Sequence, residues 1–378
     1  MKKRGLLSIL AIALIPHLCL AVFKVSPYSI TDNQNMFLAF EPKQDSLLII
    51  DIQDKTGIKK ITKLFKKDQI AKVNLGIRQC DNPIDYKITK KNSRSEIHRS
   101  SIPPYSCKVH DQVSFLFVSD THNNHEKQRK MAGFILKKLP QNTSFVLHGG
   151  DWTHHGGYKR EWYGIFDSFK SIFSKLPIIG IIGNHDYKKD KLIESIPENY
   201  HHFLGTSPTQ DNFGNKMYGF PQFNIIAFNS NLREMDNESR NINITWLKRA
   251  LKKSREQNKK VIFSMHHTPY SSSVDAIREN SRHARKMIIP HLESSGNVIM
   301  VLTGHLHMYE RSYKNGIHYI TTSCITGKRN IYSRHNKYGN FLNTLACTFS
   351  IITAGNNWSK ILTYDDKGQI VERYSFLY

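Results

Sequence analysis

Five times between Phe115 and His307 a short apolar run breaks off into a cluster of Ser, Gly, Asp, Asn and His. The runs are Phe115 to Val118, Phe145 to Leu147, Ile178 to Ile182, Val261 to Met265 and Val298 to Leu302. Apolar runs of this length, bounded by turn residues, read as buried strands. Between them Met131, Phe134, Ile135 and Leu139 recur at helical spacing, as do Trp162, Ile165, Phe166, Phe169, Ile172 and Phe173, and then Leu247, Ala250 and Leu251. A further strand is expected from Asn224 to Phe228, a helix from Asp275 to about His291, and more strands from Ile317 to Tyr378. Alternating strands and helices followed by strands predict a layered α/β domain in which sheets pack between helices.

The clusters themselves are Ser119-Asp120-Thr121-His122, Gly149-Gly150-Asp151, Gly183-Asn184-His185-Asp186, His266-His267-Thr268-Pro269 and Gly304-His305-Leu306-His307. In an open α/β sheet, residues just beyond the carboxyl ends of the strands converge on one crevice, so these five clusters are expected to meet. Carboxylate, amide oxygen and neutral imidazole suit zinc, iron or manganese better than calcium. Two carboxylates, one amide and at least four imidazoles exceed the needs of one ion, but serve two ions that share a bridging carboxylate. Glycines before Asp151, Asn184 and His305 let the backbone turn sharply there.

The ordered set D-x-H, G-D, G-N-H-D, H-x-x-P and G-H-x-H resembles the calcineurin-like metallophosphoesterases, and the run from Gly304 to Ser312 resembles their purple acid phosphatase branch. The resemblance covers roughly residues 113 to 330 and implies a β-sandwich flanked by helices. It further implies that Asp120, His122 and His307 hold one metal, that Asn184, His266 and His305 hold another, and that Asp151 bridges them. Alternation along a strand directs only one of His266 and His267 to the site; the family spacing back from Tyr270 favours His266. His185 matches the family's catalytic histidine, and Asp186 is expected to orient it. Two positions depart from the purple acid phosphatases. His122 stands where they have glycine, and His154 stands where they have a metal-binding tyrosine, so no tyrosinate-to-iron colour is expected.

The implied activity is a phosphoester hydrolase with two Fe, Zn or Mn ions, in which a bridging hydroxide attacks phosphorus in line. Phosphate monoesters, as small molecules or phosphoproteins, lead as substrates. A phosphodiesterase or nuclease is the second reading, and a secreted binding protein or effector with a silent site is a third. His154 and His155 are substrate-pocket residues, an extra ligand near the missing tyrosine, or loop residues, and His148, His201 and His202 read as structural or exposed. Asn123 and Asn124 either touch phosphate or form a turn, and Arg311 pairs either with phosphate or with an acid such as Glu310.

Lys2, Lys3 and Arg4 before the apolar stretch Leu6 to Ile15, with Cys19-Leu20-Ala21 behind it, read as a secretory signal over residues 1–21. The expected destination is the exterior or the periplasm, without a stable membrane span. Residues 22–110 carry short apolar runs such as Leu47 to Ile50 and no long amphipathic helix, which predicts a small β-rich region ahead of a metallophosphoesterase domain at 111–378. Beyond the signal, Cys80, Cys107, Cys324 and Cys347 form an even set suited to disulfides; proximity favours Cys80 with Cys107 and Cys324 with Cys347. Asn142, Asn237, Asn243 and Asn357 open glycosylation sequons. The formal charge of +23 draws in anions, nucleic acid among them, although most of the lysines belong to solvated faces.

Overall fold

The structure, a computed structural model, describes residues 22–32, 35–77, 82–92, 95–103, 112–187, 196–206, 211–274, 279–326, 335–344 and 346–378. The expected signal segment, Cys80 and Cys107 lie outside these residues, as does the start of the helix expected from Asp275.

Two large sheets lie face to face. The first has nine strands, in the order Ile370–Leu377, Trp358–Asp365, Thr348–Gly355, Gln112–Val118, Thr143–His148, Ile178–Gly180, Phe23–Thr31, Asn35–Pro42 and Ala71–Ile77. The second has seven, in the order Lys216–Gly219, Phe223–Phe228, Lys260–Met265, Val298–Thr303, Ile317–Thr321, Tyr309–Lys314 and Gly339–Asn343. Phe115, Phe117, Phe145 and Leu147 from the first sheet meet Ile225, Ile262, Met300 and Leu302 from the second in a buried layer. Helices His125–Lys138, Lys159–Ser168 and Glu198–Leu204 cover the outer face of the nine-stranded sheet, and Asn237–Glu256 and Ile289–Ser295 cover that of the seven-stranded one. The strands at 143–148, 223–228, 260–265 and 298–303 are buried at nearly every position, as the unbroken apolar runs require.

The central strands are parallel within each sheet, so their carboxyl ends open on the same side. Leu116 pairs with Val146 and Val146 with Ile178; Phe263 pairs with Val301 and Val301 with Tyr319. That register delivers all five polar clusters to one end of the sandwich.

The N-terminal residues are β-rich, as expected. Strands Gly57–Phe65, Ser46–Asp54, Ile84–Lys90 and Ser95–Ile102 form a third sheet, whose Leu48, Ile50, Ile52 and Ile88 pack on Leu38 and Phe40 of the nine-stranded sheet. The join to the rest of the chain is itself a strand pairing: Ile30 lies parallel to Ile178. The N-terminal sandwich thus shares a sheet with the strand that leads to Asn184.

One sequon falls away on inspection. The Asn243 side chain is fully buried, donating to the Asn229 carbonyl at 2.9 Å and accepting from Asn215, so it is closed to a glycan in the folded chain. Cys324 and Cys347 are buried with their sulfurs 3.6 Å apart. No helix among the described residues is long and apolar enough to cross a membrane.

Candidate metal centre

The strand-end residues carry the backbone strain of a built site. Asp120, His122, Asp151, His305 and His307 have φ of 53°, 50°, 51°, 71° and 52°. That region is sparsely populated for residues with a Cβ and costs about 1–3 kcal/mol each, so the surrounding packing must over-determine it. The packing does so through glycine. A Cβ on Gly183 would come within 2.1 Å of the Asp151 backbone and carboxylate, and one on Gly304 within 2.0 Å of Ser119 Oγ and 2.4 Å of Asp120 Oδ2.

These turns bring the acidic and imidazole groups into contact. The Asp120 carboxylate, fully buried, accepts the backbone N–H of His305 at 3.0 and 3.2 Å and lies 3.4 Å from His307 Nε2. His307 Nε2 is in turn 3.0 Å from His122 Nε2. Asp151 accepts the backbone N–H of His185 on Oδ1 at 2.8 Å, and its Oδ2 lies 3.2 Å from His266 Nε2. His266 Nδ1 donates to the Gly149 carbonyl at 2.8 Å, which leaves Nε2 as the nitrogen with a lone pair to offer when the ring is neutral. Three groups of donors each converge within 4.8 Å: Asp120, His122 and His307; Asp120, Asp151 and His266; and His266, His267 and His305.

Burial sets the charge state of the set. It pushes the His122 and His305 imidazoles down to about 4, so both are neutral at pH 7. Burial alone would raise the Asp120 carboxyl, but His307 and His266 hold it below the usual range; Asp151 is likewise held low, mainly by His266. His266 is pulled up to about 9, where burial is outweighed by Asp151 and Asp120. His266 and its neighbouring carboxylates are thus the groups that would exchange this proton for a cation bound here.

Several polar atoms in the site are buried without a hydrogen-bond partner: His122 Nδ1, Asn184 Oδ1 and His267 Nε2. Each such atom costs roughly 1–3 kcal/mol if nothing ever binds it. Asn184 Oδ1 and His267 Nε2 are of the types that ligate first-row metals, and the donor set therefore fits metal ions.

The structure brings Asp120, His122, Asp151, His266, His305 and His307 together, and it departs from the sequence reading at two points. His266 and His267 both come in: each ring lies against His305, at 5.1 and 4.6 Å between centroids, and His267 is fixed through Nδ1 to Ser230 Oγ at 2.9 Å. Asp186 does not orient the His185 ring. It is buried beneath it, accepting backbone N–H groups from Trp152, Thr153 and Gly183 at 2.9, 3.3 and 2.8 Å, while His185 Nδ1 binds the His154 carbonyl at 2.9 Å. Its location between the loop after Asp151 and its own loop leaves both oxygens engaged.

Other candidates sort themselves by contact. Asn124 caps helix 125–138 by accepting from Lys127 N, so it serves a turn. Arg311 grips Glu372 through Nε and Nη2 at 2.9 and 2.8 Å and lies over the Tyr374 ring, far from phosphate duty. Glu310 accepts from Ser271, Ser272 and Asn336 and so braces the loop after His267. His148 stacks on Trp152 at 3.6 Å and is structural. His154 stacks on His185 at 4.9 Å and meets His122 edge-on at 5.6 Å, at the rim of the site. A sixth cluster, Asn229-Ser230-Asn231, follows strand 223–228 and is fully buried beside His267. It has the same design as the other five, and that repetition was the signal available for it.

The fold and this donor set define a protein built to hold metal ions at the strand ends of a two-sheet sandwich. Residues 113–309 match the family model of the calcineurin-like phosphoesterases, and the chain belongs to that family. A purple acid phosphatase from yellow lupin (Lupinus luteus) seeds is similar at 14% identity and a TM-score of 0.72, over 93% of this chain and 74% of that one. PhoD is similar at 13% identity and 0.67, over 94% and 93%. GAP50, the anchor in the inner membrane complex of Plasmodium, aligns at 14% identity and 0.54, over 70% and 89%. At these identities the likeness establishes the fold. No curated protein sequence matches.

Proposed function

We propose that this phosphoesterase is an exported phosphomonoesterase with two metal ions. The observation that carries the reading is the convergence of donors at 3.0–3.4 Å, with site atoms buried and otherwise unpartnered. Asp120, His122 and His307 would hold one ion. Asn184 and His305, with His266 or His267, would hold the other, and Asp151 would lie between them. Bound there, two cations lower the pKa of water and neutralise charge on a phosphoryl group.

The chain's own residues supply the rest. His185 stands edge-on to His122 at 5.3 Å, and its Nδ1 is spent on a carbonyl, so Nε2 is the nitrogen left to serve a leaving oxygen. Its half-buried place at the rim suits a group that meets the departing alcohol. His154 walls the same side. With histidine there instead of tyrosine, iron-loaded protein lacks a tyrosinate band.

The deciding experiment is metal analysis of the purified protein, with hydrolysis of monoester and diester substrates assayed after loading with Mn, Zn or Fe. Two ions per chain with faster monoester turnover supports the reading. Faster diester turnover would replace it with a phosphodiesterase, and bound metal without any hydrolysis would leave a binding protein.

A further inference from the structure

Five consecutive backbone N–H groups follow Asp151, and every one has an acceptor. Trp152 and Thr153 donate to Asp186 Oδ1, His154 and His155 donate to Glu161 Oε2 at 2.8 and 2.9 Å, and Gly156 donates to the His185 carbonyl at 2.8 Å. Glu161 lies in the first turn of helix 159–168, 4% exposed, and its second oxygen is 3.2 Å from His155 Nδ1. A buried carboxylate that takes two N–H groups and an imidazole nitrogen is fully committed to one loop.

One peptide unit in that loop is special. The bond between His154 and His155 carries the His155 N–H, held by Glu161 at 2.9 Å, and the His154 carbonyl, which accepts from His185 Nδ1 at 2.9 Å. A trans peptide is planar, with its N–H and C=O pointing in opposite directions. Fixing one end therefore aims the other. A carbonyl can only accept, so the His185 nitrogen facing it carries the hydrogen and the ring is held with Nε2 outward. A charged acceptor on the N–H also polarises the unit and strengthens the bond its oxygen accepts.

We propose that Glu161 is the positioning residue for His185, acting through the single peptide between His154 and His155. It rests on the reading of His185 as the group that serves the leaving oxygen. Asp186 fixes the neighbouring peptides from the other side, so the two acids share the loop between them. Glu161 alone reaches the unit that touches the ring.

The test uses zinc-loaded protein and the variants Glu161→Ala, Glu161→Gln and His185→Ala, alone and combined. Nitrogen-15 NMR of the His185 ring is the direct readout. The expected result is hydrogen on Nδ1 in the parent protein, loss of that preference in Glu161→Ala, and its return in Glu161→Gln, which keeps an accepting oxygen. In turnover, Glu161→Ala is expected to lower kcat on an alkyl phosphate by about 10-fold, a part of the ~100-fold or more that an acid–base group can supply, with 4-nitrophenyl phosphate affected by less than about 3-fold. Added to His185→Ala, it should cost under about 2-fold more, because the two act as one unit. An unchanged His185 ring in Glu161→Ala, equal losses on both substrates where His185→Ala tells them apart, or additive losses would each overturn the proposal. If His185→Ala itself ignores the leaving group, the role given to His185 fails, and the ring spectrum still decides whether Glu161 positions it.

Discussion

His122 Nε2 and His307 Nε2 stand 3.0 Å apart, and Asp120 Oδ1 is 3.4 Å from the second of them. Cation-to-donor distances of about 2.0–2.2 Å place neighbouring donors about 3 Å from one another, so this spacing would let the three residues share one ion, as proposed. His122 is neutral because burial pushes it down to about 4, which readies its lone pair. Changing His122 to alanine is expected to reduce bound metal from two ions per chain to about one. Even outer partners of metal ligands are worth about 10–100-fold in affinity, so the loss should exceed ~100-fold. Elemental analysis showing two tightly held ions in the variant would remove His122 from the ligand set.

Asp186 is predicted to matter first for stability. Asp186→Ala strands the N–H groups of Trp152, Thr153 and Gly183 in a buried place, at roughly 1–3 kcal/mol for each lost partner. A total loss of about 3–5 kcal/mol is expected in urea unfolding of the metal-free protein. A loss below ~1 kcal/mol would mean that the two loops hold one another without it.

For Arg311 the prediction is a stability loss with ordinary kinetics. Its guanidinium is largely buried on Glu372, which also accepts from the Tyr309 hydroxyl. Arg311→Met abandons that carboxylate and should cost about 2–4 kcal/mol. KM for a phosphoester should stay within about 2-fold of the parent. A KM raised ~10-fold at unchanged stability would return Arg311 to the phosphate.

How much of this was readable in the sequence depended on the range of the interactions. Asp120, Asp151, Asn184, His305 and His307 stood out because each closes a buried strand, and parallel pairing brings all such ends together. The two packed sheets and the β-rich N-terminal residues followed from the same periodicity. Glu161 gave no signal, since an acid in the first turn of a helix is ordinary until the loop before it folds back. Arg311 was ambiguous because its partner, Glu372, is 61 positions away. Asp186 was expected to touch its neighbour His185, but the turn at Asn184–Asp186 sends the two side chains to different peptide groups of the 152–156 loop, Asp186 to the N–H groups of Trp152 and Thr153 and His185 to the His154 carbonyl. The pairing of Ile30 with Ile178 was likewise invisible, because no local pattern marks which strand a distant one will join.

Acid should weaken the protein through histidines outside the candidate metal centre. Burial pushes His98 and His318 down from 6.5 to about 4. His98 Nε2 lies 3.2 Å from the Tyr86 hydroxyl, where the N-terminal sandwich meets Ser174, and His318 packs on the Phe376 ring at 3.7 Å. Between about pH 6.5 and 4 the unfolded chain binds these protons and the folded chain does not. Stability therefore rises with pH across that window and is lost on acidification, by roughly 2–3 kcal/mol for His98 once both states are protonated and by less for His318, where solvent screens the charge. His98→Gln removes one titrating group, so urea unfolding of metal-free protein at pH 7.5, 5.5 and 4 should give a shallower pH slope in the variant than in the parent. Parallel slopes would show that His98 takes up its proton without unfolding, and a parent that gains stability on acidification would reverse the sign argued here.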